Sequence, residues 1–239
     1  PYLIPGQEVL LDDGKIHLKI VEKAENVTEN GGENTQEKRY FAKVLWGGLL
    51  KSRKSAALPG AKIYPPTLTN SDLANIKIAK EMGVTGVMQP FVRDHSDLEC
   101  VKEALREAGA EDIRLFAKIE NMDGVRKLEK LLPAADEIVI ARGDLGNAVH
   151  LWDLPGVQRQ ISEKCRAAGK PFMVVTQMLA SMERSPVPTR AEVNDIFHAV
   201  MDGAASIMVT GETAVGDYPV EVIRYMVNTV RSAEKEENR

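Results

Sequence analysis

The chain has 239 residues, 44% of them hydrophobic, which is enough material for a sizeable core. Its net charge is -4 with both signs interspersed, so it offers no broad basic surface to a nucleic-acid backbone. The two cysteines, Cys100 and Cys165, have no partner at metal-ligand spacing, and no run approaches the roughly 20 apolar residues of a membrane span. We therefore expect a soluble, cytoplasmic protein that binds neither nucleic acid nor membranes.

The N-terminal part is typical of β structure. Asp12-Asp13-Gly14 separates two apolar runs, a strong hairpin signal, and residues 16–21 alternate between apolar and other side chains. A polar segment at residues 24–38 predicts a long exposed connection, and Tyr40–Trp46 alternates again. We therefore assign residues 1–57 to a small all-β domain.

From residue 58 to 239 the hydrophobic period changes, and helical stretches alternate with short β-branched runs. The predicted helices span residues 68–82, 97–108, 125–132, 154–168, 190–201 and 220–234, and the predicted strands span residues 84–88, 113–119, 137–141, 172–176 and 206–210. Five parallel strands fit either an open doubly wound sheet or part of an eight-stranded barrel. No Gly-rich phosphate fingerprint follows a strand, whereas polar residues cluster at strand ends, which favours the barrel.

Charged side chains mark two of these strand ends. Lys118 and Glu120 are two residues apart, so on a strand both point to one face. Asp144 follows the next strand, and two carboxylates at neighbouring strand ends suit Mg²⁺ or Mn²⁺. An isolated lysine–glutamate pair is also compatible with an ordinary salt bridge, and the Asp144 segment with a capped loop.

Smaller signals lie at the other strand ends. Gly143 lets backbone N–H groups approach an anion, and the Thr176 hydroxyl either orients a substrate or water molecule or merely caps the strand. Glu212 either lines a site or forms an ion pair. Thr189 and Glu192 have the spacing of a capping box at a helix start.

Five motifs occur in an order that resembles the catalytic barrel of the pyruvate kinase family: AKIEN, ARGDLG, AGKPFMVVTQML, SPVPTRAE and TGETAVGDYP. Upstream, LLDDGKIHLKI, a GG pair before a basic cluster, LPG and FVR resemble the lid-like β domain of that family and its return to the barrel. The resemblance implies a (β/α)8 TIM barrel. Because only five strands are predicted here, we expect a partial barrel preceded by the all-β lid.

The resemblance also implies phosphoryl transfer from phosphoenolpyruvate to ADP, giving pyruvate and ATP in glycolysis. It implies Mg²⁺ or Mn²⁺, a K⁺ ion and a homotetramer. Lys118 and Thr176 match catalytic residues, and Lys118, Gly143, Asp144 and Thr176 match residues that bind the substrate. Glu120 and Asp144 match the metal ligands, and Asp13, Arg53 and Lys54 match residues that lie toward the nucleotide.

The chain also departs from the family pattern. Nothing matches the three barrel strands that precede the lid in the family, or its C-terminal regulatory domain. Locally, Ser55-Ala56-Ala57, Tyr64-Pro65-Pro66 and Gln89-Pro90 replace the usual residues. Two alternatives remain open: a metal-dependent lyase or aldolase acting on a pyruvate enolate, and a non-catalytic fragment of a pyruvate kinase.

Overall fold

The computed structural model describes residues 2–24, 38–61 and 63–237. The chain divides into two units, Pro1–Pro65 and Pro66–Arg239, whereas the sequence predicts a domain boundary after Ala57. Apart from its two end residues, the connection predicted at residues 24–38 lies outside the described part of the chain.

The first unit contains an antiparallel sheet with strand order β3-β2-β1-β4. Its strands are β1 (Glu8–Leu11), β2 (Ile16–Lys23), β3 (Tyr40–Trp46) and β4 (Ala56–Ala57). The hairpin predicted at Asp12-Asp13-Gly14 joins β1 to β2, and all three turn residues have positive φ angles of 50°, 57° and 82°. Asp and Gly tolerate this left-handed conformation better than most residues, which explains why the turn forms there.

The second unit alternates helices and strands. Its helices are α1 (Asn70–Ala79), α2 (His95–Glu107), α3 (Met122–Arg126), α4 (Leu128–Leu131), α5 (Arg142–Ala148), α6 (Leu154–Ala167), α7 (Arg190–Met201), α8 (Gly211–Ala214) and α9 (Pro219–Glu237). Its strands are β5 (Gly86–Gln89), β6 (Arg114–Ile119), β7 (Glu137–Ala141), β8 (Phe172–Val175) and β9 (Ser206–Met208). None of the described helices is both long and apolar enough to cross a membrane.

These five strands form a parallel sheet in sequence order, with β5 and β9 at its edges. One face packs against the helices and builds the main core, which includes the buried side chains of Leu115 and Ile138. The alternate positions point to the opposite face, where Val139 and Val175 belong to a smaller buried cluster. Lys118 is in register with Val139 and therefore shares this second face.

Two helix starts show how local chemistry sets the boundaries. The capping box predicted at Thr189 and Glu192 is present at the start of α7. Helix α1 begins with a second capping box: the Thr69 side chain accepts the N–H of Asp72, while the Asp72 carboxylate accepts the N–H of Thr69.

Two helical segments differ from the sequence prediction. The single helix expected at residues 125–132 is divided into α3 and α4 at Lys127, whose ψ angle of 10° is not α-helical. Helix α5 was not predicted, because Gly143 and Gly146 lower helix propensity by roughly 1 kcal/mol each and made this segment resemble a loop.

Candidate active site

Lys118 on strand β6 forms an ion pair with Glu120, which directly follows that strand. The Nζ atom of Lys118 lies 2.7 Å from Oε1 of Glu120, and the Glu120 side chain is 1% exposed against 25% for Lys118. The second oxygen, Oε2, accepts the backbone N–H of Phe91 at 2.7 Å. A carboxylate so deeply buried needs such partners to offset its desolvation, so this pair differs from an ordinary surface salt bridge.

The segment after β5 is fixed to the end of β6 by the same set of bonds. Phe91 has a φ of 51°, a left-handed conformation, and its N–H donates to Glu120. The next N–H, of Val92, donates to the carbonyl of Lys118 at 3.3 Å, and the Asn121 side-chain amide donates to the Val92 carbonyl at 3.1 Å. The position of the Lys118–Glu120 pair therefore depends on a neighbouring strand end as well as on β6.

Arg93, from the FVR motif, forms an internal ion pair with Asp97. The two guanidinium atoms Nη2 and Nε lie 2.6 and 3.1 Å from the two Asp97 oxygens. Burial alone would raise the pKa of Asp97, but hydrogen bonds from Arg93 and Thr67 outweigh it and lower that pKa to about 2. Asp97 is therefore ionised throughout the physiological range, and it orients the Arg93 side chain.

Thr176 and Gly143 meet across the ends of β7 and β8. The Gly143 N–H donates to Oγ1 of Thr176 at 2.8 Å, and that hydroxyl donates to the Val175 carbonyl at 2.6 Å. Thr176 has a φ of 73°, which is uncommon for a β-branched residue. The structure thus brings together two residues that the sequence predicted for substrate binding.

Asp144 lies in the first turn of α5, directly after β7, and is half-buried. In the sheet, β7 lies between β6 and β8. Asp144 therefore follows the middle one of three neighbouring strands, while Glu120 follows β6 and Thr176 follows β8. Among the described residues, no group of three or more His, Cys, Asp or Glu side chains is arranged around a metal site. The two carboxylates that the sequence predicted as metal ligands, Glu120 and Asp144, thus follow neighbouring strands of the sheet.

Two further glutamates act as structural ties. Glu212 is 2% exposed and accepts the N–H groups of Leu179 at 3.1 Å and Thr210 at 2.8 Å, so it joins the segments that follow β8 and β9. Glu192 accepts the N–H of Ser181 at 2.7 Å as well as the capping bonds of α7. Burial would raise the pKa of Glu192, but the hydrogen bonds from Ser181 and Thr189 lower it.

The residues expected near the nucleotide belong to the first unit. Lys54 Nζ lies 2.9 Å from Oδ1 of Asp12, and the hydrogen bond from Lys54 lowers the pKa of that carboxyl group. Oδ1 of Asp13 accepts the Ser55 hydroxyl at 2.7 Å, and Arg53 has a φ of 60°. Lys54 and Asp13 therefore both engage partners within this unit.

Arg142 makes two contacts at the site that the sequence does not predict. It lies in the ARGDLG motif, and its guanidinium contacts the carbonyl of Thr176 and the carboxylate of Asp195 on α7. These partners are 34 and 53 residues away along the chain, so no local spacing could have revealed them.

A parallel α/β sheet whose neighbouring strand ends carry the Lys118–Glu120 pair, Asp144 and Thr176 has the arrangement that is typical of barrel-type α/β domains. Residues 2–223 match the family model described as pyruvate kinase, barrel domain. The chain belongs to the pyruvate kinase family.

Curated relatives support this assignment. The chain is similar to the pyruvate kinase of Bacillus licheniformis, with 38% identity over 96% of the chain and 38% of the relative. The pyruvate kinase of Geobacillus stearothermophilus is 40% identical over 92% of the chain and 36% of the relative. That of Candida albicans is 36% identical over 98% of the chain and 44% of the relative. The chain therefore spans less than half the length of these three relatives.

Proposed function

We propose that the protein containing this chain transfers the phosphoryl group of phosphoenolpyruvate to ADP, giving pyruvate and ATP. The observation that carries the proposal is the Lys118–Glu120 pair, in which a cation is held at 2.7 Å by a buried carboxylate at the end of strand β6. Family membership supports the same reaction. It disfavours the lyase or aldolase alternative.

In the proposed reaction the bond between phosphorus and the enol oxygen breaks, and a bond from phosphorus to a β-phosphate oxygen of ADP forms. The organic product leaves as an enolate, which becomes pyruvate when its terminal carbon takes a proton. Phosphoryl transfer depends mainly on positioning and on neutralising negative charge. Lys118 is suited to this task, because Glu120 fixes its ammonium group and Phe91 fixes Glu120.

Glu120 and Asp144 would hold Mg²⁺ or Mn²⁺. The donor set fits, because both residues offer hard carboxylate oxygens and each Glu120 oxygen retains acceptor capacity beyond the bond it already makes. The metal would supply positive charge to the phosphate and enolate oxygens. K⁺ is proposed from family membership alone.

Gly143 and Thr176 would contact the substrate. In the structure the Thr176 hydroxyl hydrogen points to the Val175 carbonyl, so the hydroxyl must rotate before it can donate to a substrate oxygen. We propose from the family resemblance that the first unit is the lid-like β domain and that Asp13, Arg53 and Lys54 bind the nucleotide. A homotetramer is proposed from the family as well.

The test replaces Lys118 in the full-length protein. Lys118→Met should abolish pyruvate formation from phosphoenolpyruvate and ADP in a coupled assay, because it removes the cation, while metal-dependent proton exchange on pyruvate stays at least partly active. Lys102→Met is the matched control, since Lys102 pairs with Glu99 on the surface of α2. Unchanged kinase turnover in Lys118→Met would refute the assignment, and oxaloacetate or aldol cleavage without ADP would support the lyase.

A further inference from the structure

Arg142 joins three segments of the second unit through what we call the Arg142 clamp, defined by Arg142, Asp195, Thr176 and Met178. Nη1 of Arg142 lies 2.8 and 2.7 Å from the two carboxylate oxygens of Asp195. Nη2 donates to the carbonyl oxygen of Thr176 at 2.7 Å and to the sulfur of Met178 at 2.7 Å. The clamp therefore connects the start of α5, the middle of α7 and the segment after β8.

The segment after β8 needs such an external constraint. Thr176 and Gln177 have φ angles of 73° and 53°, so two successive residues with side chains are left-handed. L-residues resist this conformation, and it persists where the surroundings fix it. Three bonds do so at Thr176: the Arg142 bond to its carbonyl, the Gly143 N–H to its hydroxyl, and its hydroxyl to Val175.

Asp195 in turn determines where the Arg142 guanidinium lies. The Arg142 side chain is only 13% exposed, and a cation at that depth depends on a partner carboxylate to offset its desolvation. Because both oxygens of Asp195 bind Nη1, the other terminal nitrogen, Nη2, is oriented to donate to the Thr176 carbonyl oxygen. Removing the Asp195 charge therefore loosens the guanidinium at the point where it holds the Thr176 backbone.

We infer that Asp195 is a positioning residue. Acting through Arg142, it fixes the left-handed backbone at Thr176 and so keeps the Thr176 hydroxyl against the Gly143 N–H. The catalytic consequence rests on the proposed function, in which these two groups contact phosphoenolpyruvate. The structural consequence does not, because it concerns only the geometry of residues within this unit.

The test compares Asp195→Asn with Asp202→Asn in the full-length protein. Both variants remove one aspartate charge at or beside α7, but Asp202 lies at the C-cap of that helix and makes no clamp contact. In Asp195→Asn, hydrogen exchange of the Gly143 amide should become about tenfold faster, equivalent to about 1.4 kcal/mol of lost protection. In Asp202→Asn it should match the wild type. Arg142→Lys retains the cation without the planar fork and should give the same local change, which keeps the test available if Asp195→Asn fails to fold.

Kinetics supply the second readout. In Asp195→Asn, kcat/KM for phosphoenolpyruvate should fall roughly ten- to a hundredfold, as expected when a substrate-positioning group is displaced. KM for ADP should stay near that of Asp202→Asn, and this selective effect on phosphoenolpyruvate is a pattern that general destabilisation does not produce.

The outcomes separate the two claims. Equal Gly143 exchange in Asp195→Asn and Asp202→Asn overturns the positioning inference whatever the activity. Faster exchange in Asp195→Asn with unchanged kcat/KM overturns its catalytic part. A wild-type protein without kinase activity overturns the proposed function, while faster exchange in Asp195→Asn would still support the positioning of Thr176.

Discussion

Protonation of Asp97 should remove a measurable part of the stability of the second unit. Its pKa is lowered from 3.8 to about 2, a difference of about 1.8 pH units, which at about 1.36 kcal/mol per unit amounts to about 2.4 kcal/mol. Asp97 is 3% exposed, so solvent screens this interaction little. Because the pKa is lower in the folded state, the contribution is complete above about pH 3.8 and disappears as pH falls to about 2.

Asp97→Asn isolates this contribution, since it retains the size of the side chain and removes the charge that Arg93 and Thr67 stabilise. The free energy of unfolding would be measured in urea at several pH values between 6 and 2 for the wild type and the variant. At pH 6 the variant should be less stable by about 2 kcal/mol. The difference should shrink through the window from about pH 4 to 2, because the wild type then loses the same charge.

Asp123→Asn is the control, because Asp123 pairs with Arg126 on the surface of α3 and should change stability by less than about 1 kcal/mol. A difference between wild type and Asp97→Asn that stays constant from pH 6 to pH 2 would refute the reasoning. It would mean that packing, and not the charge of Asp97, accounts for the loss.

Two further predictions concern packing. Gly216→Ala should destabilise the protein by about 2–3 kcal/mol in urea unfolding, because an added Cβ would lie 2.2 Å from the Glu212 carbonyl oxygen. In the control Gly156→Ala on α6, the added Cβ meets no atom within 4 Å, so that variant should be neutral or stabilising. Equal losses of unfolding free energy in the two variants would contradict the steric argument. Burial raises the pKa of the Cys165 thiol to about 12. Mass spectrometry of the native protein treated with a maleimide at pH 8 should therefore show labelling of the exposed Cys100 and no modification of Cys165. Rapid labelling of both cysteines would show that the core around Cys165 opens.

The parts of the site that follow from local pattern could be predicted. Lys118 and Glu120 share a face because a strand repeats every two residues, and this relation needs no tertiary information. The capping box at Thr189 and Glu192 likewise depends on four consecutive residues. Both relations join residues that are close in sequence, so the sequence alone identifies them.

The remaining features depend on distant partners. The Lys118–Glu120 pair could have been a surface salt bridge until the structure showed Glu120 to be buried. Asp195 shows no periodic or compositional signal, and its role follows from an arginine 53 positions earlier. The left-handed angle at Thr176 contradicts the intrinsic preference of threonine, so local propensity would have predicted the wrong conformation.

The bond between Glu120 and the backbone N–H of Phe91 bears on which loop substitutions the site tolerates. Because Glu120 binds a main-chain amide, the bond depends on the path of the loop backbone and not on the identity of its side chains. Gln89 and Pro90 precede that amide, and neither side chain takes part in the bond to Glu120. Glu212 accepts the amides of Leu179 and Thr210, so the two loops that carry these residues are held in the same way. Substitutions that preserve the backbone path of these loops should therefore leave the bonds to the two glutamates intact.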